Sequence, residues 1–232
     1  MKFRAFRQFE DGEMIDGLGY DIVVHRRSIG ELSLPSGQLV ACDPVHGLSA
    51  EPLDLGIDAG AYPVHLIIAE MRDEKEIAYA SVSIRRREAR RWELATLPKT
   101  AESTPWERQR EDPGFQVDSG LAAVVDADTA SAIMSYKQVV MPEEDDYERH
   151  LWGRIHRRRA HSVGWANLSL RSDLELPAPS TANMLAFDAG YGDGWYTCYA
   201  GYDREDHLVS VVIDFEVLDF RFPSFAFGTS RR

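Results

Sequence analysis

The chain has 232 residues, of which 38 are acidic and 26 are basic, so its formal net charge is −12. With 44% hydrophobic and 28% charged residues, it is not collagen-like, low in complexity or wholly disordered. No apolar run reaches the roughly 20 residues that a membrane-spanning helix needs, and the N-terminus alternates charged and aromatic residues, unlike a secretory signal. Two cysteines, Cys42 and Cys198, fit a reducing compartment. We therefore expect a cytoplasmic protein with a single domain over residues 1–232.

The negative charge bears on possible partners. It repels nucleic acid and anionic membrane surfaces, and it attracts cationic proteins. We expect no nucleic-acid and no membrane partner. The charge either keeps the protein soluble or forms a surface for a basic protein, and the oligomeric state stays open.

The first predicted strands, residues 29–34 and 38–42, flank the turn sequence Pro35-Ser-Gly37. Strands joined by so short a turn predict an antiparallel hairpin. Alternate positions are then apolar from Tyr62 to Ile68 and again from Ala78 to Ile84, which predicts two strands with one apolar face each.

A loop and two helices are predicted next. Residues 96–113 hold three prolines among charged residues, which is typical of an exposed loop. Residues 129–140 have apolar side chains at helical spacing, with Asp128 as the predicted N-cap. Residues 143–159 begin with four acids and end with three arginines, a charge order that complements the helix dipole at both ends.

The C-terminal part returns to strands. Gly192-Asp-Gly194 precedes a strand over 195–199, and residues 209–217 alternate between apolar and polar side chains. The apolar phase changes at Leu218, which predicts a bulge, a bend or a new strand. The elements together predict an α+β fold that is predominantly antiparallel β, a sandwich or a half-barrel, with a short helical insertion around 129–159.

Aspartates beside glycine or proline are the main candidates for chemistry, because the motifs of phosphate loops, zinc proteases, serine hydrolases and dinucleotide sites are absent from the sequence. They are Asp43, Asp118, Asp188, Asp193, Asp203 and Asp214. Such side chains shape turns by bonding their own backbone. If they converge, they can instead hold Mg²⁺, Mn²⁺ or Ca²⁺ and activate a water molecule. Asp193, between two glycines, has the least crowded carboxylate.

Aromatic residues concentrate just after Asp193. Strand alternation predicts Trp195 and Tyr199 on one face and Tyr196 on the other. They either pack in the core or form a binding surface, since tyrosine and tryptophan rimmed by aspartate are typical of protein interfaces. The candidate binding residues are Asp193, Trp195, Tyr196, Tyr199, Tyr202 and Asp203.

Histidines and arginines give weaker signals. His46 and His65 could pair with a carboxylate as bases, but a solvated or structurally bonded imidazole is the simpler interpretation. Two arginine islands, 85–91 and 154–159, either bind phosphate or an acidic partner or offset local negative charge.

Several separated segments resemble an uncharacterised, mainly bacterial group, the domain-of-unknown-function family 4241. They are Ile29-Gly-Glu-Leu-Ser-Leu-Pro-Ser-Gly-Gln-Leu-Val-Ala-Cys-Asp-Pro44, Gly60-Ala-Tyr-Pro-Val64, Trp92-Glu-Leu-Ala95, Phe115-Gln-Val-Asp-Ser-Gly120, Phe187-Asp-Ala-Gly-Tyr-Gly-Asp-Gly194, Tyr199 and Ile213-Asp-Phe215. The resemblance covers about residues 28–218 and implies a shared β-rich fold. It implies no activity and no catalytic residues.

Two hypotheses follow. The first is a non-enzymatic cytoplasmic binding protein, an immunity protein that neutralises a basic toxin by covering its active site and that needs no cofactor. The alternative is a metal-dependent hydrolase in which Asp43, Asp118, Asp188 and Asp193 surround a divalent ion, with Asp43, Asp118 and Asp193 as its ligands. The alternative requires these carboxylates to meet in one cleft.

Overall fold

The structure, a computed structural model, describes residues 6, 9–16, 21–48, 51–72, 74–96, 113–140, 149, 153, 163–173, 179 and 181–218. Over these residues the chain forms twelve strands and one helix, which follow in order. They are β1 (Glu13–Asp16), β2 (Asp21–Leu34), β3 (Leu39–Cys42), β4 (Gly60–Met71), β5 (Glu74–Ser83), β6 (Arg91–Leu94), β7 (Phe115–Val117), β8 (Leu121–Asp126), α1 (Ala127–Val140), β9 (Trp165–Ser169), β10 (Asn183–Asp188), β11 (Gly194–Tyr202) and β12 (Leu208–Asp214).

The strands form two sheets in which every pairing is antiparallel. The large sheet has eight strands in the order β1-β2-β4-β5-β12-β11-β6, with β7 beside β11. The small sheet has four strands in the order β3-β8-β10-β9. The predicted α+β fold, predominantly antiparallel, is confirmed.

The main core lies between the two sheets. Leu66 on β4 and Val124 on β8 belong to one buried cluster that draws side chains from both sheets, so the architecture is a sandwich. Helix α1 covers the outer face of the small sheet, where Ile133 is buried. The N-terminal Phe6 packs with Tyr79 on the outer face of the large sheet. The described chain is therefore layered, with both sheets covered on their outer faces at least in part.

The turn at Pro35-Ser-Gly37 carries the chain from the large sheet to the small one. Strand β2 pairs with β1 and β4, whereas β3 pairs with β8, so the predicted hairpin is wrong. The backbone N–H and the hydroxyl of Ser36 donate to Asp126, at 3.0 and 2.6 Å. Gly37 has a φ of +72°, and a Cβ there would overlap the carbonyl oxygen of Ile57. A short turn fits a crossing between sheets as well as a hairpin, and here side-chain bonds fix the crossing.

The alternating segments form strands as predicted. Residues 62–68 lie within β4, and nearly all of 78–84 lies within β5. The strand predicted over 209–217 is β12, which ends at Asp214. It ends there because the Asp214 carboxylate accepts the N–H of Glu216 at 2.9 Å, and Glu216 has a positive φ of 58°.

Helix α1 begins at Ala127, two residues before the predicted start. Its N-cap is Asp126, whose carboxylate accepts the N–H of Asp128 at 3.0 Å. The predicted cap at Asp128 is wrong, because Asp128 lies in the first turn, where its charge favours the helix dipole.

Other predicted segments lie wholly or largely outside the described residues: most of the loop at 96–113, the helix at 143–159 except positions 149 and 153, the arginine island at 154–159, and the phase change beyond Leu218. Within the described part of the chain, no helix has the length and apolar character needed to cross a membrane.

Candidate functional site

Loops that carry the predicted site aspartates meet at one end of the sandwich. Asp43 follows β3, and its carboxylate accepts the backbone N–H groups of Asp118 and Ser119, both at 2.9 Å. The N–H of Ala189, just after β10, donates to the carbonyl of Gly120 at 3.0 Å. The loops after β3, before β8 and after β10 are therefore neighbours, as the sequence hypothesis of a shared site requires.

Asp43 itself is a structural carboxylate. It is 1% exposed, and it also accepts the N–H groups of Val45 at 2.7 Å and His46 at 3.0 Å and the hydroxyl of Ser119 at 2.8 Å. Five donors surround its two oxygens, so binding an ion would require breaking bonds that hold two loops.

The four aspartates of the hydrolase hypothesis do not gather their carboxylates. Among the residues that the structure describes, no three of them bring ligand atoms close enough to share an ion. Asp118 and Asp193 are exposed, and Asp188 is half-buried. One oxygen of Asp188 accepts the N–H of Gly164 at 2.7 Å.

The group in the described chain that could share an ion consists of Asp203, Glu205 and His207, with ligand atoms within 4.8 Å of one another. Arg87 already donates to Asp203 at 2.8 Å and to Glu205 at 2.9 Å. Burial alone would raise the pKa of Asp203, but the hydrogen bonds from Arg87 and from the backbone hold it well below its ordinary value. The guanidinium of Arg87 therefore already neutralises these carboxylates in the hairpin between β11 and β12.

The arginine island at 85–91 is largely neutralised within the chain. Besides Arg87, two of its members form ion pairs, Arg90 with Glu88 at 2.7 Å and Arg91 with Asp206 at 3.0 Å. Arg91 also lies over the ring of Tyr202, 4.5 Å from its centroid. These contacts are those expected if the island offsets local negative charge.

Tyr196 lies in the main core, where it fixes the turn after β10. Its ring packs edge-on against Phe215 with centroids 4.9 Å apart. Its hydroxyl lies 3.0 Å from the carbonyl of Ala189 and 2.7 Å from that of Gly192. Burial and the nearby carboxylates of Asp193, Glu216 and Glu76 raise the pKa of Tyr196 to about 12, so the hydroxyl stays protonated and available as a donor at neutral pH.

The other predicted aromatic residues are also partly or wholly covered. Tyr199 is buried on the opposite face, with its ring centroid 5.0 Å from that of Phe6, so the predicted alternation with Tyr196 is confirmed. Trp195 and Tyr202 are half-buried. Tyr196 and Tyr199 therefore act as packing residues in this structure, and Asp193 is the exposed member of the predicted set.

Tyr191 is the exposed aromatic side chain of this region, at 65% exposure. It lies in the turn between Gly190 and Gly192, both of which have positive φ. A Cβ at Gly190 would overlap the side chain of Phe215, so glycine is required there. Tyr191 is not among the binding residues predicted from the sequence. The signal for it is an aromatic residue between two turn glycines, outside any strand alternation.

Carboxylates surround this turn. Glu76, at the start of β5, is half-buried, and its pKa is raised by burial and then by the charges of Asp188 and Glu74. Glu76, Asp193 and Glu216 together act on Tyr196. Asp188 and Asp193 flank this turn in sequence, and Glu216 follows Phe215, which lies against Gly190. Glu74 and Glu76 are linked to these carboxylates through their charges. Together with Tyr191 we call the five carboxylates the acidic corner: Glu74, Glu76, Asp188, Tyr191, Asp193 and Glu216.

Residues 32–213 match the family described as "Protein of unknown function (DUF4241)". The chain belongs to the DUF4241 family. The resemblance expected from the sequence motifs is thereby confirmed. No curated protein and no solved structure matches the chain significantly.

The DUF4241 match contains most of the acidic corner but not the N-terminal packing. It includes all the members of the corner except Glu216, whereas Phe6 and β1 precede it. Because the family description assigns no activity, functional inference for this DUF4241 protein rests on the geometry of the site.

Proposed function

We propose that this DUF4241 protein binds a basic protein through the acidic corner and that it acts as a cytoplasmic bacterial immunity protein, neutralising a toxin by covering its active site. The observation that supports this is the environment of Glu76. Burial, and then the negative charges of Asp188 and Glu74, raise the pKa of its half-buried carboxylate.

Such an arrangement lowers the stability of the isolated protein. Like charges brought together at a partly desolvated position repel each other, and burial adds to the cost. A lysine or arginine side chain from a partner would remove the repulsion. A carboxylate whose pKa is raised by burial and by nearby like charges is typical of a functional site.

Tyr191 adds an apolar contact to a surface that otherwise consists of carboxylates. Large aromatic side chains at the centre of an interface contribute much of the binding free energy, and a polar rim excludes water around them. Tyr191 is 65% exposed on a turn fixed by Tyr196 and Gly190, so it loses little backbone freedom on binding. The carboxylates around it would steer a cationic partner and speed its capture.

A toxin with a basic active site, such as a nuclease, fits this surface. The carboxylates would take the place of the polyanionic substrate, so occlusion alone would inhibit the toxin. The mechanism requires no catalytic group on the DUF4241 protein.

Binding to the purified products of neighbouring genes tests the proposal. Isothermal titration calorimetry should show a complex whose affinity falls steeply between about 50 and 300 mM NaCl, because salt screens the attraction between opposite charges. Asp193→Lys should abolish this complex. Glu31→Lys makes the same charge change near the start of β10, where the carbonyl of Glu31 accepts a hydrogen bond from Asn183, and should preserve the complex. Equal losses in both variants, or no complex with any basic neighbour, would overturn the proposal.

A further inference from the structure

The outer face of the large sheet carries hydrogen-bond donors that the proposed function does not use. His65 on β4 pairs with Ser28 on β2 and with Ser81 on β5. Its neighbours Val64 and Leu66 belong to the main core. Because side chains alternate along a strand, His65 lies on the outer face, with a serine on either side.

The imidazole of His65 is incompletely satisfied. The ring is half-buried, and among the residues that the structure describes, its buried Nδ1 has no hydrogen-bond partner. An unpartnered acceptor is tolerated better than an unpartnered N–H. The proton of the neutral ring is therefore assigned to Nε2, which is not among the buried unpartnered atoms. This assignment makes Nε2–H a donor available on the outer face.

Arg26 adds a positive charge beside this donor. It pairs with Ile67 and lies two residues before Ser28, on the same face of β2. The register makes Arg26 a diagonal cross-strand neighbour of His65 on this face. Burial, and then the charge of Arg26, lower the pKa of His65, so the ring is neutral at pH 7. In the described part of the chain, the half-buried side chain of Arg26 has no hydrogen bond or ion pair, whereas Arg87 and Arg91 are both paired with carboxylates.

Hydroxyl groups continue the cluster across the sheet. Ser28 is exposed and Ser81 is half-buried. The hydroxyl of Ser81 lies 3.0 Å from that of Ser210 on β12, so the polar strip extends over four adjacent strands. Ser210 donates onward to the carbonyl of Val82 at 3.3 Å, so the single proton of Ser81 is donated to Ser210. A carboxylate also lies beside β2, since Asp11 accepts the backbone N–H of Arg26 at 3.1 Å.

We propose that Arg26, Ser28 and His65 form a binding site for a small oxyanion of the phosphate class. A guanidinium can bind two phosphate oxygens through parallel N–H bonds. The imidazole N–H and the hydroxyl of Ser28 would donate to the remaining oxygens. A ligand that only accepts hydrogen bonds satisfies a half-buried surface that offers mainly donors. The site is local, because the net charge of −12 disfavours long-range attraction of anions.

Histidine-detected NMR on the full chain tests this site. Inorganic phosphate at pH 7, compared with NaCl of equal ionic strength, should shift the His65 ring signals saturably. Arg26→Gln should weaken the apparent affinity at least tenfold. Arg27→Gln is the matched control, since Arg27 pairs with the core residue Leu66 and faces the other way; it should change the affinity less than twofold.

Three outcomes would overturn the proposal: equal losses in the Arg26 and Arg27 variants, the same shift with NaCl, or shifts that do not saturate, which indicate an adventitious ion only. If Arg26→Gln does not fold, Ser28→Ala should still weaken phosphate binding severalfold, and unchanged affinity in that variant would overturn the site. Phenyl phosphate, as a second probe, distinguishes the two possible kinds of natural ligand. Tighter binding than that of inorganic phosphate indicates an organic phosphate, and weaker binding indicates the free ion.

This site does not depend on the acidic corner. Asp193→Lys should abolish protein binding and leave the phosphate shift of His65 unchanged. Failure of one proposal is therefore distinguishable from failure of the other.

Discussion

Asp43 holds Ser119 with both of its carboxylate oxygens: the N–H of Ser119 donates to Oδ2 at 2.9 Å, and its hydroxyl donates to Oδ1 at 2.8 Å. The two residues lie in different loops, one after β3 and the other between β7 and β8. Their contact therefore fixes the loop that adjoins the acidic corner. It also explains why an aspartate in a sequence rich in turn aspartates need not be a ligand.

Replacing this carboxylate should destabilise the protein. Asp43→Ala leaves buried donors without an acceptor, and we expect it to lower the free energy of unfolding by about 3 kcal/mol. Asp43→Asn should also lose about 2 kcal/mol, since its NH₂ group cannot accept. Urea unfolding measures both. Asp54→Asn, at an exposed position, should change stability by less than about 0.5 kcal/mol, and an Asp43→Ala midpoint equal to that of the wild type would contradict the role of Asp43.

Removing the charge of Glu76 should have the opposite effect. Because the folded-state pKa of Glu76 is raised, its stabilising contribution is fully present below its unfolded pKa, near 4, and is lost as the pH rises through the higher folded value. Glu76→Gln should therefore be more stable than the wild type at pH 7, and the gain should shrink toward about pH 4. Thermal unfolding at both pH values measures the effect.

The control for Glu76 is Glu31→Gln, an exposed position where we expect changes under about 0.5 kcal/mol. If Glu76→Gln lowers stability at pH 7, the repulsion inferred in the acidic corner is absent. If Glu76→Gln stabilises the protein and weakens partner binding, the charge of Glu76 lowers stability and contributes to binding.

Local patterns predicted the strands but not which sheet each one joins. The apolar alternation of β4 and β5 needs only neighbouring residues, so both strands were predicted correctly. The crossing at Gly37 and the effect of the Asp188 charge on Glu76 both depend on the approach of distant parts of the chain. The burial of Tyr196 and Tyr199 also depends on distant parts of the chain. The sequence of a strand covered on both faces resembles that of a strand with one exposed binding face, so local patterns do not distinguish the two.

Tyr191 should matter for binding and not for stability. Its side chain is 65% exposed, so Tyr191→Ala should leave the melting temperature within about 1 °C of the wild type. Loss of an interface anchor of about 2 kcal/mol corresponds to roughly 30-fold weaker partner binding. Met14→Ala, at a residue 48% exposed on β1, is the control and should bind normally. Equal affinity of the Tyr191 and Met14 variants would place the interface elsewhere.

The ion pair between Arg87 and Asp203 should give a pH-dependent stability. The folded-state pKa of Asp203 is lowered, so its contribution is present above the unfolded pKa, near 3.9, and is lost as the pH falls toward the folded value. Arg87→Gln should be less stable than the wild type at pH 7, and the difference should narrow below about pH 3. Arg90→Gln, which removes a pair within one loop, should cost less at pH 7. A difference that is constant with pH would contradict a role for this ion pair.

The crossing from β2 to β3 should not tolerate a side chain at Gly37. Gly37 has a φ of +72°, and a Cβ would overlap the carbonyl oxygen of Ile57, whereas Gly12 has a φ of +80° with nothing within 4 Å of its Cβ position. Gly12→Ala should cost about 1 kcal/mol for the left-handed backbone alone. Gly37→Ala should cost at least about 3 kcal/mol, because strain and overlap add. Urea midpoints at unchanged m-value measure the difference, and equal costs would mean that the turn relaxes freely and does not fix the passage between the sheets.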